Sequence, residues 1–256
     1  MARPQGFDHF CAYLKGLENH YVIIGGGAAS ILLEEEELTF RATKDVDLVV
    51  LSRSDELNKR ILSYVKKGKY QKQESTTVVP RYYRFTKPKD QSCPQVIEIF
   101  SRNELELDLK EGQHIIPLQS KYAERLSAIL LDDEYFNLIR DNLLLSETGI
   151  PYINSVANIC LKAKAYREMT ERKKAGNKDV DEKDIQKHLK DIWRLAAVLP
   201  NTSTVKLSSA VFKDIKKAIE QLDQLTEKQF KQVMKNIPGQ NYSSTMNLLN
   251  SVFLSR

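Results

Sequence analysis

Thr43-Lys44-Asp45-Val46-Asp47-Leu48-Val49-Val50 is the stretch on which the reading of this chain turns. Two aspartates separated by one residue open an apolar, β-branched run. Side chains alternate faces along a strand, so Asp45 and Asp47 share a face with Cα atoms ~6–7 Å apart, while Val46, Leu48 and Val50 point into a core. Aspartate is depleted in strands, and like charges side by side repel. A hard cation between them explains the pair, because Mg²⁺ binds through one or two carboxylates and substrate phosphate oxygens. The competing reading is a solvated strand end with a capping role nearby.

The segment upstream adds a second element. Tyr21-Val22-Ile23-Ile24 is a short buried-strand pattern, followed directly by Gly25-Gly26-Gly27 and then by Ala28-Ala29-Ser30-Ile31-Leu32-Leu33, which reads as the first turns of a helix. A strand, a glycine turn and a helix N-terminus expose backbone N–H groups and a positive dipole end, which together bind phosphate. Glycines suit such a cradle because a Cβ would hold phosphates away from the backbone. The chain thus places a phosphate cradle and a carboxylate pair in consecutive elements.

Gly-Gly-x-Ala followed by Arg41-x-Thr43-Lys44-Asp45-x-Asp47 in an apolar strand resembles the nucleotidyltransferase fold, and more narrowly the AbiEii/AbiGii toxin-type nucleotidyltransferases of bacterial defence and toxin–antitoxin systems. That pattern includes a third carboxylate flanked by apolar residues. Glu98 in Val96-Ile97-Glu98-Ile99-Phe100 matches it, with Asp108 in Leu105-Glu106-Leu107-Asp108-Leu109 as a competitor. Glu98 is preferred because Ile97 and Ile99 flank it symmetrically. The resemblance extends to a helix with a Lys and a charged helix with an Asp, matched by Lys162 in Cys160–Arg167 and Asp191 in Lys187–Leu195. Two positions depart from the pattern: Gly27 stands where Ser or Thr is frequent, and His188 where Asp is common.

The resemblance implies a metal-dependent transfer of a nucleoside monophosphate from an NTP to an acceptor hydroxyl. Asp45 and Asp47 would hold Mg²⁺ (or Mn²⁺), and Glu98 would share the metal or take the acceptor's proton. Gly25, Gly26 and Gly27, with Arg41, Thr43 and Lys44, would form the nucleotide-binding set. Lys162 would add a point charge to the phosphates and Asp191 would orient Lys162 or the incoming group. The resemblance also implies a cognate antitoxin as a possible partner, and it leaves the acceptor open between RNA, a protein hydroxyl and a small molecule.

The chain has 256 residues, 41% hydrophobic and 29% charged, the composition of a globular protein. Its formal net charge of +5 permits a polyanionic partner without requiring one. Lys59, Arg60, Lys66, Lys67, Lys69, Lys72, Arg81, Arg84, Lys87 and Lys89 interleave with Tyr64, Tyr70, Tyr82 and Tyr83, and a second basic run spans Lys162–Lys190. Basic side chains beside aromatic rings can hold a nucleic-acid backbone and stack on bases, which favours RNA as acceptor; solvated helix faces and core tyrosines are the bland account. Cys11, Cys93 and Cys160 show no paired spacing, which argues against a disulfide framework or zinc site. His9, His20, His114 and His188 show no ligand or triad spacing. The apolar stretch Tyr21–Leu33 is too short and glycine-rich to span a bilayer, and the N-terminus lacks a signal pattern, so a cytoplasmic protein without membrane contact is expected.

The predicted organisation is α+β: a nucleotidyltransferase-like mixed sheet with flanking helices over residues 1–150, then a helical bundle over 151–256, divided at Gly149-Ile150-Pro151. In the first half, Phe7–Leu17 reads as a helix, and Ser54 caps another whose apolar face is Leu57, Ile61 and Val65 and which ends at Gly68. Thr76–Phe85 and Gln95–Phe100 are β-like, and 106–109 with 114–116 suggest a hairpin. Helices are expected near 122–131 and 135–145. Past Pro151 everything reads helical: Val156, Ile159, Ala163 and Tyr166 recur at helical spacing, as do Ile185, Leu189, Ile192 and Ala196, and Thr226-x-x-Gln229 is a capping box. Lys187, Asp191 and Arg194 fall opposite the apolar stripe, where an exposed ion pair is the plain expectation.

Two other classes compete with the enzyme. A binding or antitoxin-interaction module could keep the fold without turnover. Gly25-x-Gly27-x-x-Ser30 with Asp45 downstream also mimics a Rossmann-type dinucleotide fingerprint, although that fold wants its acid at the far end of the second strand.

Overall fold

A computed structural model describes residues 3–74, 82–100, 115–117, 133–178, 180–201 and 204–255. The chain divides into two compact units, one of residues 1–31 and 41–153 and one of residues 32–40 and 154–256.

The first unit is a mixed sheet with helices. Its elements run α1 (Phe7–Tyr13), β1 (Tyr21–Ile24), α2 (Gly25–Glu35, which continues into the second unit), β2 (Asp45–Val50), α3 (Asp55–Lys67), β3 (Gln71–Glu74), β4 (Tyr82–Thr86), β5 (Val96–Phe100), β6 (Ile115–Pro117), α4 (Asp133–Arg140), β7 (Leu143–Leu145) and β8 (Pro151–Ile153). Among the described residues, eight strands form one sheet in the order β6-β3-β4-β5-β2-β1-β8-β7. β1 and β2 are antiparallel, β2 and β5 parallel, and β4 and β5 antiparallel. The antiparallel β1–β2 pair is not the parallel βαβ unit of a dinucleotide-binding fold, and this removes the Rossmann reading.

Local chemistry explains several boundaries. The Ser54 side chain accepts a hydrogen bond from Leu57 N–H and starts α3, whose Leu57, Ile61 and Val65 are buried as the periodicity requires. Gly68 follows that helix as its cap, and a Cβ there would lie 2.6 Å from the Tyr70 ring; the left-handed residue is the next one, Lys69. Val46, Leu48 and Val50 are buried beside Ile97 and Ile99. Tyr64 packs edge-on against Phe10 and Tyr13 within the same core.

Three expectations for this half are corrected. Helix α1 stops at Tyr13 and not at Leu17. The helix expected over 135–145 ends at Arg140, because Leu143–Leu145 pairs antiparallel with Pro151–Ile153 and so enters the sheet. For the same reason Pro151–Ile153 is a strand, and the chain divides after Ile153, with Leu32–Phe40 joining the helical unit. The hairpin around 106–116, apart from Ile115–Pro117, and the helix near 122–131 lie outside the described residues.

The second unit is helical beyond its 32–40 segment: α5 (Ser155–Lys174), α6 (Glu182–Ala196), α7 (Ser209–Asp223), α8 (Glu227–Met234) and α9 (Tyr242–Phe253). Asn154, Asp181, Ser208, Thr226 and Asn241 cap these helices by accepting from backbone N–H groups, and Thr226 with Gln229 forms the expected capping box. Trp193 is fully buried, edge-on to Phe230 and Tyr242, with its indole N–H donated to Met246 Sδ at 3.3 Å. Among the described residues no helix is long and apolar enough to cross a membrane.

Candidate active site

Asp47 is the centre of the candidate site. In the β1–β2 register it lies opposite Ile24, the last residue before the glycines. Helix α2 begins at Gly25 itself, so the chain turns from strand to helix with no intervening loop. Gly25 has φ of +63°, and a Cβ there would strike the Asp47 carboxylate; a Cβ on Gly26 would lie 2.5 Å from Thr43 Oγ1. These two glycines therefore make room for protein side chains. A Cβ on Gly27 would lie 3.0 Å from both Ile23 and Phe7, so its absence serves the packing of α2 on β1, and the expected phosphate role finds no support at that position. The Ser30 hydroxyl donates to Gly26 C=O at 2.9 Å.

Strand pairing builds a charged row from there. Asp47 is in register with Glu98 across the parallel β2–β5 pair, and Glu98 with Arg84 across β5–β4. Residues in register on neighbouring strands share a face, so Arg84, Glu98 and Asp47 stand side by side, with Asp45 two residues along the same face. Asp45 and Asp47 are half-buried, and Glu98 is buried. Arg84 Nε lies 3.4 Å from Glu98 Oε1. The alternate faces of the same strands hold Val46, Leu48, Ile97, Ile99 and Phe85, all fully buried. Asp108, the competitor of Glu98, lies outside the described residues.

Arg41, Thr43 and Lys44 precede β2, with Arg41 and Thr43 half-buried and Lys44 exposed; Arg41 donates to Ala42 C=O at 3.2 Å. Among the described residues no three His, Cys, Asp or Glu side chains gather closely enough to hold an ion by themselves. Carboxylates spaced like Asp45, Asp47 and Glu98 are the donor type of a hard divalent cation that takes one or two carboxylates and completes its shell with other oxygens.

In the helical unit, Lys162 Nζ sits 3.2 Å from Asp191 Oδ2, and Arg194 donates to Asp191 Oδ1 at 3.0 Å. Asp191 is 0% exposed and Lys162 7%. This corrects the expectation of a wet ion pair: Lys187 is exposed, but Asp191 is turned inward between two cations. Sequence reasoning missed a second inward network, in which Arg167 lies 2.7 Å from Asp214 and Lys164 lies 3.2 Å from Glu168. Burial raises the Glu168 carboxyl above its usual range, against the opposing pull of Lys164 and Arg167. No local signal could have revealed the Arg167–Asp214 contact, because its partners meet only through helix packing.

The first basic and aromatic cluster is partly structural. Tyr64 and Tyr70 are buried, with Tyr70 donating to Pro94 C=O at 2.6 Å and Tyr64 hydroxyl 2.9 Å from His9 Nδ1, so neither is a stacking surface. Arg60 pairs with Glu56. Lys59, Lys66, Lys67, Lys69, Lys87 and Lys89 are exposed, and Lys89 N–H donates to Gly68 C=O, bringing the 87–89 segment to the end of α3. Arg81 and the side chains of Lys72, Tyr82 and Tyr83 lie outside the described residues.

No family model matches the chain, and no curated protein matches it. Among solved structures it is similar to a candidate nucleotidyltransferase from H. pylori, at 10% identity and a TM-score of 0.38, over 95% of this chain and 88% of that one. It is also similar to a cytoplasmic RNA terminal U-transferase, at 14% identity and a TM-score of 0.31, over 95% of this chain and 62% of the other.

Proposed function

We propose that this protein is a nucleotidyltransferase that moves a nucleoside monophosphate from an NTP to an acceptor hydroxyl. The observation that supports this best is the in-register placement of Glu98 beside Asp47, with Asp45 on the same face and the start of α2 packed against the Asp47 carboxylate. A folding domain gains nothing from three carboxylates on one sheet face, because they repel and each loses hydration. A site for a cation–phosphate pair explains them.

Asp45, Asp47 and Glu98 would hold Mg²⁺ or Mn²⁺, which when bound neutralises charge on the triphosphate and polarises the phosphorus under attack. The chain's own residues do the rest. The first turn of α2 presents backbone N–H groups of the Gly25–Gly26 segment to phosphate oxygens, and Arg41 and Lys44 add cationic charge at the head of β2. Glu98, where it is not a ligand, accepts the proton of the acceptor hydroxyl. For the helical unit we propose a part for Lys162 in the same reaction, with Asp191 fixing its ammonium.

RNA is the acceptor we favour, now on the exposed lysines around Gly68 and not on the tyrosines, two of which are buried. A role as the toxin-like component of a bacterial defence or toxin–antitoxin pair, with a cognate antitoxin, follows from the sequence resemblance alone and belongs to the proposal.

The deciding experiment is incubation of the protein with each α-labelled NTP, Mg²⁺ or Mn²⁺, total RNA and a protein extract. Label should enter one acceptor class and vanish with D47N and with E98Q. NTP binding without transfer under every condition would mark a binding module instead.

A further inference from the structure

Helix α6 carries positive charge where its own stability is not served. Lys183, Lys187 and Lys190 recur at spacings of four and three, so they fall in one stripe about 60° wide that ends at Arg194. Lys183 and Lys187 are exposed and Lys190 is half-buried. Like charges at these spacings destabilise a helix. Lys183 also lies in the first turn, where the helix dipole favours an anion. The acids of that turn, Glu182 and Asp184, stand off the stripe, each about 100° round the helix from Lys183. Glu182 is engaged instead by Lys173 at 3.2 Å and by the Gln186 side chain at 3.1 Å. Among the described residues, Lys183, Lys187 and Lys190 have no carboxylate within ion-pair distance. A merely solvated helix face alternates its charges and pairs them.

We infer that the Lys183–Lys187–Lys190 stripe of α6 binds the phosphate backbone of an RNA strand. Phosphates relieve the repulsion along the stripe, and their counterions are released into solution as they bind. Lysine, a point charge on a flexible stem, suits a contact that positions a strand without reading its bases. A protein partner fits this face less well. Ile185, Leu189, Ile192, Trp193 and Leu195 are all buried, so the outer face of α6 offers no apolar centre, and lysine is depleted at protein interfaces. At the far end of the stripe Arg194 reaches Asp191, which also holds Lys162. The stripe therefore runs toward the pair given a part in the proposed reaction. The inference rests on the proposed RNA acceptor.

The test is fluorescence anisotropy of a labelled single-stranded RNA oligonucleotide with the full chain, without NTP or divalent metal, over a series of salt concentrations. K183Q/K187Q/K190Q should bind at least about tenfold more weakly near ~0.1 M salt, and the slope of log affinity against log salt should shrink by roughly 2, at ~0.7 per lost single-strand contact. K183R/K187R/K190R, which keeps the charge, should stay close to wild type. K228Q/K231Q/K235Q removes the same charge from α8 and its C-cap and should leave the slope nearly unchanged. An equal loss in that α8 variant attributes binding to net charge and overturns the stripe. A wild-type slope in K183Q/K187Q/K190Q, with RNA still bound, overturns the stripe and leaves the RNA acceptor standing. No RNA binding by wild type overturns both, and poly-glutamate held through the same three lysines would then mark a docking face for an acidic protein. Thermal unfolding of K183Q/K187Q/K190Q should match or exceed wild type, because the repulsion between lysines is gone. Should that variant not fold, K187Q alone is held to the same criteria at a third of the slope change.

Discussion

Gly25 lies directly against the carboxylate of Asp47, so that a side chain of any size at residue 25 would occupy the space of the aspartate oxygen. The contact ties the turn into α2 to the strand that bears the candidate site. It also assigns the glycine a duty that sequence alone attributed to phosphate.

Gly25→Ala is therefore doubly unfavourable. The position has φ of +63°, which alanine tolerates poorly, and the new Cβ must displace Asp47. We expect a loss of about 1–3 kcal/mol in stability and a larger proportional loss of nucleotide transfer. Urea unfolding and a transfer assay measure the two; wild-type levels of both would show that Asp47 is free to move aside.

The Lys162–Asp191 pair of the helical unit, at 3.2 Å, is almost wholly buried. Removing one member strands a charge in a dry interior, so K162M should destabilise by up to about 3–5 kcal/mol, moderated by Arg194, which still reaches Asp191. The double variant K162M/D191L should recover part of that loss. If K162M unfolds like wild type while transfer falls, Lys162 serves the reaction and contributes little to stability.

Much of the fold is legible in sequence where one residue's neighbours settle its fate. Ser54, Thr226 and the Val46–Leu48–Val50 alternation behave as their local patterns require. Legibility ends where a partner comes from far along the chain. Leu143–Leu145 reads as the tail of a helix until Pro151–Ile153 returns beside it, and Asp191 reads as a surface residue until Lys162 meets it. Arg84 belonged to a basic cluster by composition, and only the β4–β5 register shows that it stands against Glu98. The in-register placement of Asp47 and Glu98 likewise needs the parallel β2–β5 pairing, which no local window contains.

Thiol chemistry should be silent in the folded state. Cys11, Cys93 and Cys160 are all buried, and burial pushes the Cys11 thiol up to about 12 and raises Cys160 as well. The nucleophile in thiol exchange is the thiolate, so Ellman's reagent should find no fast-reacting group in native protein and three in denaturant. One rapid equivalent under native conditions would mean that one of these sites opens readily.

Glu168 should tilt the pH dependence of stability. Its carboxyl is raised in the folded protein chiefly by burial, so the folded state binds this proton more tightly than the unfolded state. Stability contributed by that proton is full below the unfolded carboxylate range and falls as pH rises through the raised folded value. E168Q should remove this component, flattening the fall in Tm just above the normal glutamate range. An unchanged Tm profile in E168Q would place the titration elsewhere.

The exposed lysines near Gly68 give the RNA preference a direct test. Lys66 lies in the last turn of α3, and Lys89 is brought to its end by the bond from its own N–H to Gly68 C=O. Both side chains are exposed. Phosphate contacts release counterions, so affinity for RNA should fall as a power of salt concentration, with a slope that shrinks by roughly 1 for each contact removed. K66Q/K89Q should therefore weaken RNA transfer and flatten its salt dependence while leaving NTP binding intact. These positions are chosen over Lys69 and Lys87, whose φ of +51° makes any substitution there a backbone experiment as well. Label appearing on a protein acceptor, indifferent to salt and to K66Q/K89Q, would overturn the RNA preference and leave nucleotide transfer itself untouched.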